Sequence, residues 1–314
     1  MKIFRLAAIA AVASMLAACG AGTQTVPVTS PQSTLNTPSH TMTVGNATLH
    51  IMFTRDMVSQ PFPSDPLGRV PLARPQKGSN NLTYHGGPIQ TAPKVYVVFW
   101  GSAWNGSGDP DGMATYYVNF MKAAAGSKWL NSVTQYTQSD GQHVGNSGIS
   151  VSTWTDTGSS PPSRPSQSNL AAEAVRGAAH FGDYSDNASY VIVSPHGIKP
   201  QGFGTQYCAW HSSTSTSNGV ISYTNLPYIP DAGSSCGVGS VNNPGTLDGV
   251  SIVGGHEQAE TETDPQPNTG WLDSSGEENG DKCAWMNLEN NPNAGGYPTQ
   301  PLWSNATSSC VQSY

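Results

Sequence analysis

Two uninterrupted runs of β-branched and aromatic residues constrain the fold of this chain more than any other feature. They are KVYVVFWG at 94–101 and SYVIVSPHG at 189–197. Runs of this kind are typical of strands covered on both faces of a sheet. Because segments with helical spacing lie between and after them, the sequence predicts an α/β fold with a mixed sheet, flanking helices and long Gly/Asn-rich loops, or an α+β variant.

The spacing of apolar residues predicts the flanking helices. Residues 113–136 have helical periodicity, and the Gly-Ser step at 126–127 is expected to divide them into two helices. A further helix is predicted from the N-cap candidate Ser168 to Gly182, and another over 245–265.

Three more segments have the composition of strands. They are ATLHIMF at 47–53, GISVSTWTD at 148–156 and GVISYTNLPYI at 219–229. The last contains Pro227, which cannot donate a ladder hydrogen bond, so this strand is expected at an edge of the sheet. A free edge there would hold an extended peptide.

The N-terminus has the form of an export signal. MKIFR is a basic start, and LAAIAAVASMLAA is apolar but too short to span a bilayer. The end of this segment, Leu16-Ala17-Ala18-Cys19, resembles the lipobox of bacterial lipoproteins. That resemblance implies a signal peptide at 1–18, acylation of Cys19 and, because Gly20 follows, an outer-membrane lipoprotein. An ordinary secretory signal is the alternative.

Composition divides the rest of the chain into three parts. Residues 19–45 are rich in Ser, Thr and Pro, which predicts a flexible tether. Residues 46–81 form an N-terminal segment of uncertain structure, and 82–314 are predicted to be a single globular domain.

The charge of the chain limits its partners. Its 13 Lys and Arg are outnumbered by 20 Asp and Glu, which gives a net charge of −7 at pH 7. Without a basic stripe, nucleic acid is excluded as a partner. Contact with a membrane is expected through the lipid anchor only.

Four cysteines remain besides Cys19: Cys208, Cys236, Cys283 and Cys310. An even number in an exported chain predicts disulfide bonds. We favour the pairs 208–236 and 283–310, which close the shorter loops, over the other two connectivities. A zinc site of four thiolates is a further alternative, although the sequence lacks the C-x-x-C spacing of such sites.

The segment GGHEQAETETDP at 254–265 carries the strongest chemical signal. On a helix, His256 and Glu260 lie one turn apart on one face. Helices with the pattern H-E-x-x-H bind zinc with this spacing, and here Glu260 replaces the second His. Glu257 then takes the position of the general base, which predicts a zincin-like active-site helix. The two preceding glycines are expected to let a strand pass close to the helix.

A third metal ligand is expected from GEENGDKC at 276–283. Glu278 and Asp281 are its oxygen donors, with Asp264 at the helix end in reserve. Zinc is favoured because Ca²⁺ sites take oxygen ligands almost exclusively, which makes His256 a poor calcium ligand; calcium remains the alternative. A solvated acidic helix face without any ion is the other interpretation.

The remaining candidates for chemistry are weaker. His85, His196 and His211 are interpreted as structural residues.

Three longer motifs are LTYHGGPIQTAPKVYVVFWG at 82–101, GDKCAW at 280–285 and PLWSNATSSC at 301–310. They resemble motifs of the plant exordium, or phosphate-induced protein 1, family, and the resemblance extends over 82–314. It implies a secreted protein linked to cell walls, in a family without a well-established enzyme activity.

These features lead to two expectations for function. The first is an exported, lipid-anchored zinc metallopeptidase that acts on a peptide or protein substrate. The alternative is a non-catalytic, exordium-like surface protein. It would bind polysaccharide or a protein partner through Trp271, Trp285 and Trp303, although indoles are more common in protein cores.

Overall fold

A computed structural model of the protein describes residues 40–59 and 81–314. The predicted signal peptide at 1–18, the lipidation residue Cys19 and the tether up to residue 39 lie outside these ranges. Within them, no helix is long and apolar enough to cross a membrane.

Strands and helices alternate along the described residues. The strands are β1 (Thr41–Val44), β2 (Ala47–Phe53), β3 (Thr83–Tyr84), β4 (Lys94–Trp100), β5 (Ser150–Asp156), β6 (Ala188–Val193), β7 (Tyr207–Thr216), β8 (Gly219–Leu226), β9 (Trp271–Leu272), β10 (Glu289–Asn291), β11 (Tyr297–Thr299), β12 (Leu302–Ser304) and β13 (Ser309–Val311). The α-helices are α1 (Arg55–Ser59), α2 (Met113–Ala124), α3 (Gln167–Phe181) and α4 (Asp248–Thr263).

Seven strands form one mixed sheet in the order β1-β2-β7-β8-β6-β4-β5. Neighbours are antiparallel from β1 to β8 and parallel from β8 to β5. The predicted mixed sheet with flanking helices is therefore confirmed. The sheet also includes β1, made of residues predicted to belong to the tether, and β2, which precedes the domain predicted at 82–314.

The two apolar runs form the adjacent parallel strands β4 and β6, and β6 is buried at every residue. The prediction that 219–229 form an edge strand is wrong. β8 lies between β7 and β6 and ends at Leu226. Pro227 comes directly after the strand, so it interrupts no hydrogen bond of the ladder.

The predicted helices form with small shifts in their ends. α2 stops at Ala124, and a 3₁₀ helix at Leu130–Gln135 follows the Gly-Ser step. α3 begins two residues earlier than expected. Ser166, and not Ser168, is the N-cap, because its hydroxyl accepts a hydrogen bond from Asn169 N.

Helices α3 and α4 cover opposite faces of the sheet. α3 packs closely on Tyr190, since a Cβ at Gly177 would lie 3.3 Å from the Tyr190 ring. Successive residues of a strand point to opposite faces, so Val191 faces the other way. The row aligned with Val191 by strand register consists of Val97, Val191, Thr224, His211 and His50. This row faces α4 and brings two histidines beneath it.

Helix α4 is buried along its whole length. A Cβ at Gly254 would lie 2.4 Å from Cε2 of Tyr117, and one at Gly255 would lie 2.8 Å from Cη2 of Trp129. The two glycines therefore let α4 approach α2 and Trp129. The sequence predicts that a strand packs closely against these glycines, and this prediction is wrong: the close neighbours are helix α2 and the indole of Trp129.

Candidate metal centre

Helix α4 presents its central acidic residues to the protein interior. The side chains of His256 and Glu260 have no exposed surface, and that of Glu257 is 1% exposed. His256 and Glu260 share one helix face, with His256 Nε2 3.1 Å from Glu260 Oε1. A solvated acidic face does not fit this burial, because a buried carboxylate needs hydrogen-bond donors or a cation.

Two histidines that the sequence analysis did not select lie against this part of α4. β2 and β7 pair so that His50 is directly opposite His211. Both side chains have no exposed surface. The sequence predicts a structural role for His211 and no role for His50. The available signal was a His inside the apolar strand ATLHIMF, since a buried imidazole there requires a partner.

The predicted loop at 276–283 supplies the remaining carboxylates. Asp281 N donates to Glu260 Oε1 at 2.9 Å, and Asn279 Nδ2 donates to the carbonyl oxygen of Ala259 at 3.0 Å. These bonds attach the loop to α4. Glu278 and Asp281 are consequently held beside Glu260, with no exposed surface on either side chain.

Four side chains form the first group of candidate ligands: His50, His211, Glu260 and Glu278. One ligand atom from each lies within 4.8 Å of the others. His50 Nδ1 is 2.7 Å from Glu278 Oε2 and 3.7 Å from Glu260 Oε2. His211 Nε2 is 3.5 Å from Glu278 Oε2. Ligands about 2.0–2.1 Å from a tetrahedral zinc ion are about 3.4 Å apart, so an ion fits among these atoms after small shifts.

Three side chains form the second group: His256, Glu260 and Asp281. His256 Nε2 lies 3.1 Å from Glu260 Oε1 and 3.5 Å from Asp281 Oδ1. The predicted third ligands are thus divided, with Glu278 in the first group and Asp281 in the second. Glu260 belongs to both.

His40 forms the outer boundary of the centre. Its Nδ1 lies 2.6 Å from Asp281 Oδ1, and its side chain is 11% exposed. The ring also packs edge-on against Phe53. His40 falls in the segment predicted as tether, and no local sequence signal predicts its position beside Asp281.

Hydrogen bonds set the orientation of the two sheet histidines. His50 Nε2 is 3.1 Å from the carbonyl oxygen of Gly276, which can only accept, so Nε2 carries a proton. In the neutral ring, the lone pair of Nδ1 then faces Glu278. His211 Nδ1 lies 3.2 Å from Glu257 Oε2, and towards an ionised Glu257 it donates and leaves Nε2 free. Metal-binding histidines are commonly oriented by such bonds.

Several buried atoms of the centre have no hydrogen-bond partner among the described residues. They are His50 Nδ1, His211 Nε2, both ring nitrogens of His256, Glu257 Oε1, Glu260 Oε2, both carboxylate oxygens of Glu278, and Asp281 Oδ1. Short distances without hydrogen-bond geometry indicate that acceptors face one another. Such an arrangement is costly unless a cation lies between them.

Burial and charge shift the pKa values of the histidines in different directions. Burial alone would lower the pKa of His50, but Glu278 and Asp281 raise it well above its usual range. For His256, the charge of Glu260 likewise outweighs burial and raises the pKa. Burial lowers the pKa of His211 to about 3, so this ring is neutral and able to bind a metal.

The carboxylates also differ in pKa. Burial raises the pKa of Glu257 and of Glu278 well above the ordinary value. Burial would also raise that of Glu260, but His256 and His50 lower it to about 2. Burial opposes ionisation of Asp281 as well, yet His40 and His50 hold its pKa well below the ordinary range. Without an ion, protons on imidazole therefore compensate part of the negative charge.

Asp264, the reserve ligand, has other partners. Its carboxylate accepts hydrogen bonds from the backbone N–H groups of Asn268 and Gly270, at 2.7 Å each, and of Thr269 at 3.1 Å. It belongs to neither group of candidate ligands. Its role in the structure is to close the C-terminal end of α4.

Both favoured disulfides are present, Cys208–Cys236 and Cys283–Cys310. All four thiols are consumed, which rules out the alternative zinc site of four thiolates. The first bond joins β7, the strand of His211, to the segment before α4. The second joins the loop of Asp281 to β13, so each disulfide secures one side of the centre.

The three tryptophans considered for polysaccharide binding are not fully exposed. Trp303 is buried, and Trp271 and Trp285 are half-buried. Their indole N–H groups donate to Asn305 Oδ1, to the carbonyl of Thr137 and to the carbonyl of Phe53, respectively. These contacts give the indoles a structural role.

His85 and His196, the other two histidines that the sequence predicts to be structural, lie outside both groups of candidate ligands. His85 is exposed. The side chain of His196 is 51% exposed and pairs with Asp231 at 2.6 Å. Their interpretation as structural residues stays a prediction.

Comparisons with protein-family models, with curated proteins and with solved structures give no match to this chain.

Proposed function

We propose that this protein is an exported, metal-dependent hydrolase that binds zinc beside α4 and acts on peptides or proteins. The observation that carries the proposal is the convergence of His256 Nε2, Glu260 Oε1 and Asp281 Oδ1. None of the three side chains has exposed surface. A bound cation compensates the charge of these buried carboxylates in place of the protons that the imidazoles carry without an ion.

The donor atoms favour zinc over calcium. Calcium binds oxygen almost exclusively, whereas zinc accepts imidazole nitrogen and carboxylate oxygen together. The His256 nitrogen beside two carboxylates is the mixture that zinc prefers. Calcium remains the alternative ion in the experiment below.

Three protein ligands leave one coordination position open, as in catalytic zinc sites. A zinc ion supplies electrophilic activation of a carbonyl group or of a water molecule. We assign Glu257 as the general base, because its Oε1 is buried without a partner. Its Oε2 accepts a hydrogen bond from His211, which fixes the direction of the carboxylate.

Access to the centre is a separate requirement. Its histidines and carboxylates are at most 1% exposed in their side chains, apart from His40. A substrate therefore needs a movement of residues that cover the centre. Pairing of a peptide with 219–229 no longer supports peptide binding, because β8 has neighbours on both sides.

The same burial favours a second candidate function. In it, the protein is a non-catalytic surface protein of the exordium type, and the ion only stabilises the fold. Export to the cell envelope as an outer-membrane lipoprotein belongs to both candidates. The two disulfides support an oxidising compartment for either.

The deciding experiment measures zinc and calcium by elemental mass spectrometry, together with cleavage of a peptide library. The samples are the purified wild type, His256→Ala and Glu257→Gln. We expect zinc in the wild type, loss of zinc in His256→Ala, and retained zinc without cleavage in Glu257→Gln.

Each deviation has a definite meaning. Full cleavage by zinc-loaded Glu257→Gln would remove Glu257 from the mechanism. Zinc without cleavage in any sample, even after removal of the residues before 46, would favour the non-catalytic protein. Wild type that folds normally but binds neither zinc nor calcium would overturn both the hydrolase and the stabilising ion.

A further inference from the structure

We propose that the centre binds two divalent cations and that the carboxylate of Glu260 bridges them. One ion occupies the group of His256, Glu260 and Asp281. The other occupies the group of His50, His211, Glu260 and Glu278. The inference rests on the metal binding in the proposed function, but it does not depend on hydrolysis.

The two oxygens of Glu260 face different ligand groups. Oε1 lies 3.1 Å from His256 Nε2. Oε2 lies 3.7 Å from His50 Nδ1, one of the nitrogens of the other group, and it has no hydrogen-bond partner. A carboxylate with one oxygen directed to each group has the geometry of a bridging ligand.

A single ion leaves one group without a partner. A zinc ion takes about four ligands, and the two groups together supply six residues. With an ion in the second group only, His50 Nδ1, His211 Nε2 and both oxygens of Glu278 stay buried and unpaired. Buried polar atoms in native proteins are rarely left so, which favours a second ion.

Hydrogen bonds outside the groups prepare the first group for a metal. The carbonyl of Gly276 fixes the proton of His50 on Nε2, and Glu257 fixes that of His211 on Nδ1. The nitrogens left for an ion, His50 Nδ1 and His211 Nε2, both face Glu278 Oε2. Four protein ligands complete a tetrahedral shell, as in structural zinc sites.

The charge of the centre agrees with two ions. Four carboxylates surround it, from Glu257, Glu260, Glu278 and Asp281. The described Lys and Arg ion pairs lie at other carboxylates, those of Asp183, Asp156, Glu173 and Asp273. With neutral histidines, two divalent cations balance these four negative charges.

The test counts zinc per chain in the full-length protein by elemental mass spectrometry. The variants are His50→Ala, His256→Ala and Glu260→Gln, with the exposed His85→Ala as a matched control. We expect two ions in the wild type and in His85→Ala, one in His50→Ala, one in His256→Ala, and loss of both in Glu260→Gln. One ion in the wild type overturns the proposal, as does loss of both ions in each histidine variant that keeps its fold.

A second measurement covers the case in which the variants fail to fold. The wild type is loaded with Mn²⁺ alone and studied by electron paramagnetic resonance. Two bridged ions give an exchange-coupled spectrum, and isolated ions give the six-line spectrum of mononuclear Mn²⁺, which overturns the proposal. Two ions without peptide cleavage would contradict the hydrolase alone, and one ion with cleavage would contradict the bridged pair alone.

Discussion

The carboxylates at the two ends of α4 and those in its middle are equally buried but have different partners. At the N-terminal end, Asp248 accepts hydrogen bonds from the N–H groups of Val241 and Asn242, at 2.8 and 2.7 Å. At the C-terminal end, Asp264 accepts from three backbone N–H groups. Both charges are stabilised by the protein itself.

In the middle of the helix, the protein does not supply enough donors. Glu257 Oε1 and Glu260 Oε2 have no hydrogen-bond partner, and their neighbours are other carboxylates and imidazoles. Elsewhere, Arg176 stabilises buried Asp156 and Glu173 by ion pairs. On this helix, the carboxylates of the candidate metal centre therefore differ from those at the two ends in lacking protein donors.

The largest expected effect on zinc binding comes from a substitution in the middle of α4, compared with one at its N-terminal end. Glu260→Gln should weaken zinc binding by about 100-fold or more, since loss of even an outer partner costs about 10–100-fold. Asp248→Asn should leave zinc affinity unchanged. It should lower the free energy of unfolding by about 1–3 kcal/mol, because an amide donor then faces backbone donors. Competition with a chromophoric chelator and urea unfolding measure the two quantities. Equal loss of zinc in both variants would erase the distinction between the ends and the middle.

Removal of the metal by a chelator tests the same distinction through thermal stability. A ligand present at about 100 times its Kd stabilises the folded state by about 2.7 kcal/mol. For a domain of this size, chelation should therefore lower Tm by about 5–10 °C. Asp248→Asn should show the same decrease as the wild type in a thermal melt, and Glu260→Gln should show none. A wild-type Tm that chelation does not change would argue against a metal that stabilises the fold.

The sequence predicts the central sheet well because its signals are local. The runs at 94–101 and 189–197 are strands by composition alone, and the helices between them follow from apolar spacing. The prediction that β8 lies at an edge of the sheet failed for a physical reason. The rule for Pro applies to residues inside a ladder, and the sequence did not show that the strand ends before Pro227.

The candidate site could be predicted only where its residues are close in sequence. His256 and Glu260 lie one helical turn apart, and the loop of Glu278 follows the helix. His50 and His211 come together because β2 pairs with β7 in one register. Nothing local in either strand specifies that pairing, so the histidines of the sheet were missed.

His40 provides a smaller test at the boundary of the centre. His40→Ala removes a ring whose Nδ1 lies 2.6 Å from Asp281 Oδ1. As a partner of a ligand and not a ligand itself, it should cost about 10-fold in zinc affinity. The exposed His85→Ala serves as the control, and both are measured by chelator competition. A loss as large as that of Glu260→Gln would make His40 a direct ligand.

The smallest effect is expected far from α4, at a carboxylate that the protein stabilises fully. Burial alone would raise the pKa of Asp183, but hydrogen bonds from Lys94, Ser185 and Tyr96 lower it to about 2. The unfolded chain has an Asp pKa of about 3.9, so this stabilisation is present above pH 4 and is lost as the pH falls through 2.

Asp183→Asn isolates this contribution. Because Lys94 is 42% exposed, solvent screening reduces the expected loss to about 1 kcal/mol at pH 6, and the difference from the wild type should shrink as the pH approaches 2. Urea unfolding at several pH values, with and without chelator, measures it. The loss at pH 6 should be the same in both conditions, because Asp183 has its own donors and needs no ion. If chelator changed the loss of unfolding free energy in Asp183→Asn, charges distant from α4 would also respond to the metal. Carboxylates with protein donors and carboxylates without them would then differ only in degree.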